Sequence, residues 1–212
     1  SGVRVLSKKY QLPVYITEAT HRFSNLHLDK NLLFHFEAED RIRIGELTVT
    51  AFKKNHDAAD PHSFIVSSPS INIGVFTDIG IACKEVIHYF KQCHAAFLES
   101  NYDVDMLMKG SYPVHLKKRI SDGNGHISNH QALELFLSHR PSYMSHLILS
   151  HLSQNNNKAE LVEELFMRHA QNTRIVVASR HRETPVYEIF TGAGAGSFRV
   201  RQNKKPEQLR LF

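Results

Sequence analysis

Cysteine is scarce in this sequence, and the two that occur predict no disulfide. Cys83 and Cys93 lie ten residues apart, on what the pattern predicts to be one helix. Positions so spaced lie about 15 Å apart along a helix axis, which is too far for an S–S bond. Unpaired thiols are typical of a reducing compartment, so we expect a cytoplasmic protein.

Long hydrophobic runs are also absent. No apolar stretch approaches the roughly 18 residues that a membrane span requires, and no apolar leader with a small-residue cleavage site opens the chain. We therefore expect no membrane-spanning segment and no membrane partner. The chain begins with Ser1 rather than methionine, so the question of a removed leader stays open.

What is present is an ordinary globular composition with a positive charge. The chain has 212 residues, of which 42% are hydrophobic and 22% charged, and this suits one domain with a sizeable core. The net charge is +5 and the isoelectric point is about 9.2. A basic surface suits a polyanion such as nucleic acid, although part of the excess lies in the C-terminal tail.

Hydrophobic patterning predicts strands that first form hairpins and later alternate with helices, which indicates an α/β fold with a layered sheet. We expect one domain over residues 1–200 and a flexible basic tail over 201–212. Predicted strands span residues 12–16, 41–44, 46–52, 62–68, 71–76, 95–99, 146–150, 174–178 and 185–190. Predicted helices span residues 81–92, 112–119, 129–138 and 158–170.

Histidine is abundant, with 15 in the chain, and four short motifs place a histidine or aspartate in a loop, three of them where a predicted strand ends. His56 follows the predicted strand that ends at Phe52, and Asp78 follows the predicted strand that ends at Phe76. His126 lies in a glycine-rich break, and His151 lies at the end of the apolar strand 146–150. Imidazoles and a carboxylate that converge at one edge of a sheet suit Zn²⁺ or a similar transition metal.

Each motif also has an ordinary structural interpretation. An aspartate before glycine, such as Asp78, is more often a turn or helix-cap residue. His126 could be an exposed loop residue, His56 could form a surface pair with Asp57, and His151 could be a hydrogen-bonded core histidine. The ordered set therefore carries the metal-site prediction, rather than any single residue.

That ordered set resembles the metallo-β-lactamase superfamily, and within it the bacterial single-domain hydrolases described as 5′-to-3′ exonuclease-like. The resemblance runs through most of the chain and implies a four-layer αββα sandwich. The matching blocks are LSKKYQLPVYIT (6–17), HDAADP (56–61), TDIG (77–80), LESNYD (98–103), YPVHLKKRI (112–120), GHISN (125–129) and HLSQNN (151–156).

The resemblance also implies roles for individual residues around two divalent metals, zinc or manganese. His56 would belong to the first metal site, Asp78 would bridge both metals, and His151 would complete the second. His126 would act near the scissile phosphate as a general acid or phosphate contact, while a metal-activated water attacks phosphorus. Four further residues would orient the ligands, namely Asn129, Glu99, Asn101 and Asp103.

The sequence departs from the family in one respect: the signature His-x-His-x-Asp-His, which supplies most ligands of both metals, does not occur. In relatives it falls just before a segment like the one at Ser1, so we expect the first strands to be missing as well. With only His56, Asp78 and His151 left for two metals, the chain as given should bind metal poorly and be inactive. Uncovered sheet edges should favour self-association.

The last five residues resemble the peptides by which bacterial replication and repair proteins dock on the sliding clamp. Such peptides carry a glutamine and a final Leu-Phe pair on a flexible tail. The equal alternative is a terminal segment that packs its own apolar side chains into the core. The residues that would dock are Gln208, Leu209, Leu211 and Phe212.

Three functions remain open at this point. The first is a dinuclear-metal nuclease or phosphodiesterase, with nucleic acid as the substrate. The second keeps the fold but hydrolyses a small molecule, such as a cyclic phosphodiester, a thioester or a lactone. The third is a metal-free interaction module. His126 in its glycine-rich setting favours phosphate chemistry.

Overall fold

The computed structural model describes residues 2–190 and the backbone of residues 200–201. Its helices are α1 (Gly2–Tyr10), α2 (Glu18–Phe23), α3 (Lys84–Phe90), α4 (Val104–Lys109), α5 (Val114–Ser121), α6 (Asn129–His139) and α7 (Ala159–Met167). Its strands are β1 (Val14–Ile16), β2 (Leu33–His35), β3 (Arg41–Ile44), β4 (Leu47–Lys53), β5 (His62–Ser67), β6 (Asn72–Phe76), β7 (Ala95–Glu99), β8 (His146–Ser150), β9 (Arg174–Val177), β10 (Val186–Tyr187) and β11 (Val200–Arg201).

Seven strands form one mixed sheet in the order β3-β4-β5-β6-β7-β8-β9. The strands from β3 to β6 are antiparallel, because short turns such as the one at Gly45 (φ +60°) join them into hairpins. The strands from β6 to β9 are parallel, since helical crossovers return the chain to the same end of the sheet. This architecture confirms the predicted α/β class.

The core lies between this sheet and three helices, α3, α6 and α7. Side chains on one face of the sheet pack against the helices, among them the fully buried Phe76, Leu98 and Leu147. On the opposite face, Phe97 is 40% exposed although β7 is a central strand. The described part of the chain therefore covers one face of the sheet more completely than the other.

Several short elements differ from the sequence prediction. The pattern did not predict α1, α2, α4 or β2, and it made the strand at residues 185–190 longer than the two-residue β10. The helix that was to hold both cysteines is α3, which is shorter than predicted. Cys83 precedes it as the N-cap and Cys93 follows it, so the prediction that they share a helix was wrong; both thiols are free.

Two further points bear on the predicted partners. Within residues 2–190 and 200–201, no helix combines the length and the apolar character that crossing a membrane requires. The proposed clamp-docking residues, Gln208 to Phe212, lie outside the part of the chain that the structure describes.

Candidate metal centre

Three neighbouring parallel strands deliver the candidate site to one edge of the sheet. Asp78 lies just after β6, Glu99 ends β7, and His151 lies just after β8. Because these strands are parallel neighbours, their carboxyl ends meet, as in other sheets whose sites lie at strand ends. Asp78 (φ +53°) and His151 (φ +56°) both adopt the left-handed backbone conformation, which non-glycine residues seldom adopt and which is frequent at functional sites.

Glu99 holds the centre of the cluster. Its side chain is fully buried, and Oε1 accepts hydrogen bonds from His126 Nδ1 and His151 Nδ1, each at 2.7 Å. The backbone N–H of Ile79 donates to Oε2 at 2.6 Å, and Asn101 Nδ2 donates to Oε1 at 3.2 Å. Burial raises the pKa of Glu99, but the hydrogen bonds from His126, His151 and Ile79 and the charge of His126 together leave its pKa below the usual value. The carboxylate is therefore ionised at neutral pH.

This arrangement fixes which nitrogen each histidine presents. Because Nδ1 of His151 donates to Glu99, its Nε2 is the free nitrogen, and it lies 3.5 Å from Asp78 Oδ1. The hydrogen bond to Glu99 and the charges of Glu99 and Asp78 raise the pKa of His151, although its partial burial acts in the opposite direction. A ring nitrogen that is oriented through the other nitrogen is the usual setting of a metal-binding histidine.

His56 is oriented in the same way from another loop. Its Nδ1 donates to the carbonyl of Gly125 at 2.8 Å, and its Nε2 lies 3.8 Å from Asp78 Oδ1 and 3.5 Å from Asp57 Oδ1. The ring of His126 lies between those of His56 and His151, with centroids 5.3 Å from each. Three imidazoles thus surround Asp78.

Glycine allows the loops of the site to pack directly against each other. A Cβ atom on Gly80 would lie 2.2 Å from the carbonyl oxygen of Gly123, and a Cβ on Gly125 would lie 2.2 Å from that of Arg119. The N–H of Gly80 donates to Asn55 O at 2.7 Å. These close approaches explain why a glycine-rich break precedes His126 and holds it against the strand ends.

The predicted orienting residues have different surroundings. Asn101 Nδ2 contacts Glu99 and donates to the carbonyl of His151 at 2.8 Å. Asn129 contacts no histidine of the cluster; its Oδ1 accepts from Ser100 Oγ and from Asn157 Nδ2. Asp103 is the N-cap of α4, where it accepts from the N–H of Met106. Of these four residues, only Glu99 and Asn101 therefore contact the candidate ligands.

A set of donor atoms from Asp78, Glu99, His126 and His151 lies within 4.8 Å of one another. His56 lies outside that set but still approaches Asp78. Imidazole nitrogen and carboxylate oxygen are ligands that borderline divalent metals accept, and the oriented Nε2 atoms fit such an ion. The chain thus offers a site for a divalent metal.

Two charged neighbours of the cluster did not stand out in the sequence. Lys54 Nζ donates to the carbonyl of Thr77 at 2.6 Å; burial lowers its pKa, against the opposing charges of Asp78 and Glu99. Arg119 forms an ion pair with Asp57, which lowers the pKa of that carboxyl group. Lys54 is far in sequence from Thr77, and Arg119 is far from Asp57, so the fold brings the members of each pair together.

The comparisons with known proteins agree with this fold. No protein-family model matches the chain. It is 34% identical over 165 residues to a protein named exodeoxyribonuclease YycJ from Bacillus anthracis, which is 76% of this chain and 62% of that protein. It is 28% identical to exodeoxyribonuclease WalJ from Streptococcus pneumoniae, over 76% of the chain and 61% of that protein. The chain thus spans less than two thirds of the length of these relatives.

Two solved structures share the fold at low sequence identity. The metallo-β-lactamase fold protein YhfI from Bacillus subtilis superposes with a TM-score of 0.61 and 16% identity, over 82% of this chain and 68% of that one. The Zn²⁺-bound PqqB from Methylobacterium extorquens gives a TM-score of 0.58 and 13% identity, over 82% and 65%.

These similarities and the strand-end cluster define a protein of the metallo-β-lactamase fold, as the resemblance implied. The solved structures show the fold, and the relatives found by sequence carry the name exodeoxyribonuclease.

Proposed function

We propose that this chain is part of a metal-dependent phosphodiesterase that acts on nucleic acid, and specifically of an exodeoxyribonuclease. One observation carries the proposal: Glu99 Oε1 receives hydrogen bonds from both His126 and His151, while Asp78 faces the free nitrogen of His151. A buried carboxylate that orients two imidazoles toward a second carboxylate suits hydrolysis at a metal site. The relatives named exodeoxyribonucleases support a DNA substrate.

In this proposal His56, Asp78 and His151 hold the metals, with Asp78 between the two histidines. The chemistry that divalent metals supply at such a site is activation of water and neutralisation of phosphoryl charge. The donor set does not distinguish zinc from manganese. We expect the two-metal site to need ligands beyond His56, Asp78 and His151.

His126 is proposed as the general acid. Its Nδ1 proton is held by Glu99, so Nε2 is the atom that can carry a second proton. Glu99 thereby fixes the tautomer and the orientation of the His126 ring, as a buried carboxylate does for a histidine in other hydrolases. His126 Nε2 would then give its proton to the leaving oxygen as the phosphodiester bond breaks.

The test is the hydrolysis of 5′-labelled single-stranded DNA in the presence of Mn²⁺ or Zn²⁺. It is run on the 212-residue chain and on the product of the full open reading frame that encodes it, called the extended protein below. We expect His126→Ala to slow cleavage by the roughly 10²–10⁴-fold that a general acid contributes. His130→Ala is the matched control, because His130 is an exposed histidine on α6.

Cleavage by His126→Ala at the rate of the control would contradict the proposed role. Metal titration of the 212-residue chain is a second check. We expect weak binding, since the candidate ligands His56, Asp78 and His151 would serve two metals, and two tightly bound equivalents would show that the ligand set is already complete.

Three further assignments stay proposals. The C-terminal residues Gln208, Leu209, Leu211 and Phe212 are proposed to dock on a bacterial sliding clamp. Deletion of the last five residues should abolish clamp binding and leave the unfolding midpoint unchanged.

Self-association is proposed through the edge strands β3 and β9, and sedimentation at several concentrations tests it. The free thiols of Cys83 and Cys93 favour a reducing compartment such as the cytoplasm.

A further inference from the structure

A groove leads away from the candidate metal centre. It consists of two clefts, of about 600 Å³ and 440 Å³. Their shared lining residues are Leu152, Ser153, Gln154, Ala178, Ser179 and Arg180, which follow β8 and β9. The first cleft also contains His126 and His151, and the second reaches His181 and Arg182. The groove therefore begins at the proposed reaction site and is longer than a pocket for a single small ligand.

The charge of this groove is mainly positive. Arg119, Arg180 and Arg182 line it, while Glu163 is the only acid among the described lining residues. Arg119 already pairs with Asp57, but its side chain is 66% exposed and so remains accessible. Arg180 is anchored by one hydrogen bond, from Nη2 to the carbonyl of Leu152 at 2.7 Å. A guanidinium held in this way is positioned to contact a phosphate at low entropic cost.

Tyr112 adds an aromatic surface to the first cleft. Its ring is half-buried, and its hydroxyl accepts a hydrogen bond from Asn155 Nδ2 at 3.1 Å, which fixes the ring against the loop that follows β8. An aromatic ring beside arginines is the combination with which proteins bind single strands, because every unpaired base offers a face for stacking. A duplex does not expose such faces.

We propose that this groove binds single-stranded nucleic acid, with Arg119 and Arg180 contacting backbone phosphates and Tyr112 stacking on a base near the reacting phosphodiester. The proposal deepens the proposed function, on which it rests, because it names the form of the substrate and the residues that select it. Duplex DNA would have to open before its strand could enter.

The test measures binding rather than cleavage. A fluorescein-labelled single-stranded DNA of twelve nucleotides is titrated with the 212-residue chain in EDTA, and anisotropy is followed at several salt concentrations. We expect Arg180→Gln to weaken binding several-fold and to reduce the salt dependence by about 0.7, the change for one phosphate contact on a single strand. Arg180→Lys should recover part of the affinity.

The controls separate the groove from general surface charge. Arg168→Gln removes an arginine that pairs with Glu164 at the end of α7 and lies outside the groove lining, and it should bind as the wild type does. Tyr112→Phe keeps the ring and should retain most of the affinity, whereas Tyr112→Leu should lose roughly tenfold, the scale of one stacked base. A blunt duplex of the same sequence should bind more weakly than the single strand.

Wild-type affinity in Arg180→Gln and Tyr112→Leu would overturn this inference, as would equal binding of duplex and single strand. The proposed function is judged separately, by hydrolysis of the small ester bis(4-nitrophenyl) phosphate in the presence of Mn²⁺ by the extended protein. Arg168→Gln should leave that rate unchanged, because Arg168 pairs with Glu164 and lies outside the groove lining. If the wild-type extended protein does not hydrolyse this ester, the proposed function is rejected.

Discussion

Glu99 is the residue on which the candidate centre depends, because one buried oxygen atom accepts hydrogen bonds from two histidines. Isolated buried carboxylates are costly, but this one is compensated by His126, His151, Asn101 and the N–H of Ile79. Such an arrangement fixes both rings and leaves their Nε2 atoms free. The cost of the buried charge is thus offset by groups that the proposed chemistry needs.

We predict that Glu99→Gln destabilises the protein by about 1.5–3 kcal/mol, the scale of hydrogen bonds to a charged group. The amide cannot accept from Ile79 and both histidines at once, so at least one buried donor loses its partner. Urea unfolding at about pH 7.5, where Glu99 is ionised, measures the change. Glu164→Gln is the control, since Glu164 is exposed and paired only with Arg168, and its effect should stay below about 1 kcal/mol. Equal effects would show that Glu99 is not a structural centre.

His146 provides a pH-dependent prediction away from the candidate centre. It lies at the start of β8, almost fully buried, and its ring contacts Tyr187. Burial, followed by the positive charge of Arg174, lowers the pKa of His146 from 6.5 to about 4. The unfolded chain therefore takes up a proton at a higher pH than the folded protein does. The associated stability is fully present above about pH 6.5 and is lost as the pH falls toward about 4.

For wild type, this residue should account for a loss of about 2 kcal/mol between about pH 7 and about pH 5. The loss is measured as the difference between wild type and His146→Asn, because the other titrating groups are common to both proteins. Urea unfolding at several pH values across this interval gives the two profiles. Parallel profiles would mean that His146 titrates normally in the folded protein.

Among the elements, the long strands and helices could be predicted from the sequence, whereas the short ones could not. The strands from β3 to β9 carry enough alternating or continuous apolar residues to be recognised. Helix α4 has six residues and depends on a single cap, Asp103, so its pattern is too short to separate it from a loop. Helix α1 keeps Val3, Val5 and Leu6 exposed, so its apolar residues do not join the core of the described chain.

The loop between α5 and α6 shows how an element positions a functional side chain. Gly125 lies so close to α5 that a Cβ atom would come within 2.4 Å of the carbonyl oxygens of Arg119 and Ile120. Its own carbonyl accepts the hydrogen bond of His56. A methyl group here would push the loop off the helix and move both His56 and His126.

We predict that Gly125→Ala destabilises the protein by about 2–3 kcal/mol, as overpacking against rigid backbone does. Gly45→Ala is the comparison: Gly45 has φ +60°, and no atom lies within 4 Å of the place that an added methyl group would take. Only the conformational cost of about 1 kcal/mol therefore applies there. Thermal unfolding of the wild type and both variants measures the two effects. A Gly125→Ala protein as stable as Gly45→Ala would show that the loop can shift freely.

At the scale of the whole molecule, the order of strand-end motifs was informative because parallel neighbours bring their ends together. Asp78, His126 and His151 are far apart in sequence and belong to one cluster. The central position of Glu99 was not visible, since a glutamate that ends an apolar strand looks like any other boundary residue. Its burial and its two histidine partners depend on β7 lying between β6 and β8, which no local pattern reveals.

The two faces of the seven-stranded sheet give the last prediction. Phe76 on β6 is fully buried beneath the helices, whereas Phe97 on β7 points to the other face, is 40% exposed, and pairs with Val75 and Ile148 on neighbouring strands. Phe76→Ala should therefore cost about 3–5 kcal/mol, because it leaves a cavity. Phe97→Ala should cost only about 1 kcal/mol, since part of its surface is already in water. Urea unfolding of both variants measures the difference, and equal costs would mean that another surface covers Phe97 in solution.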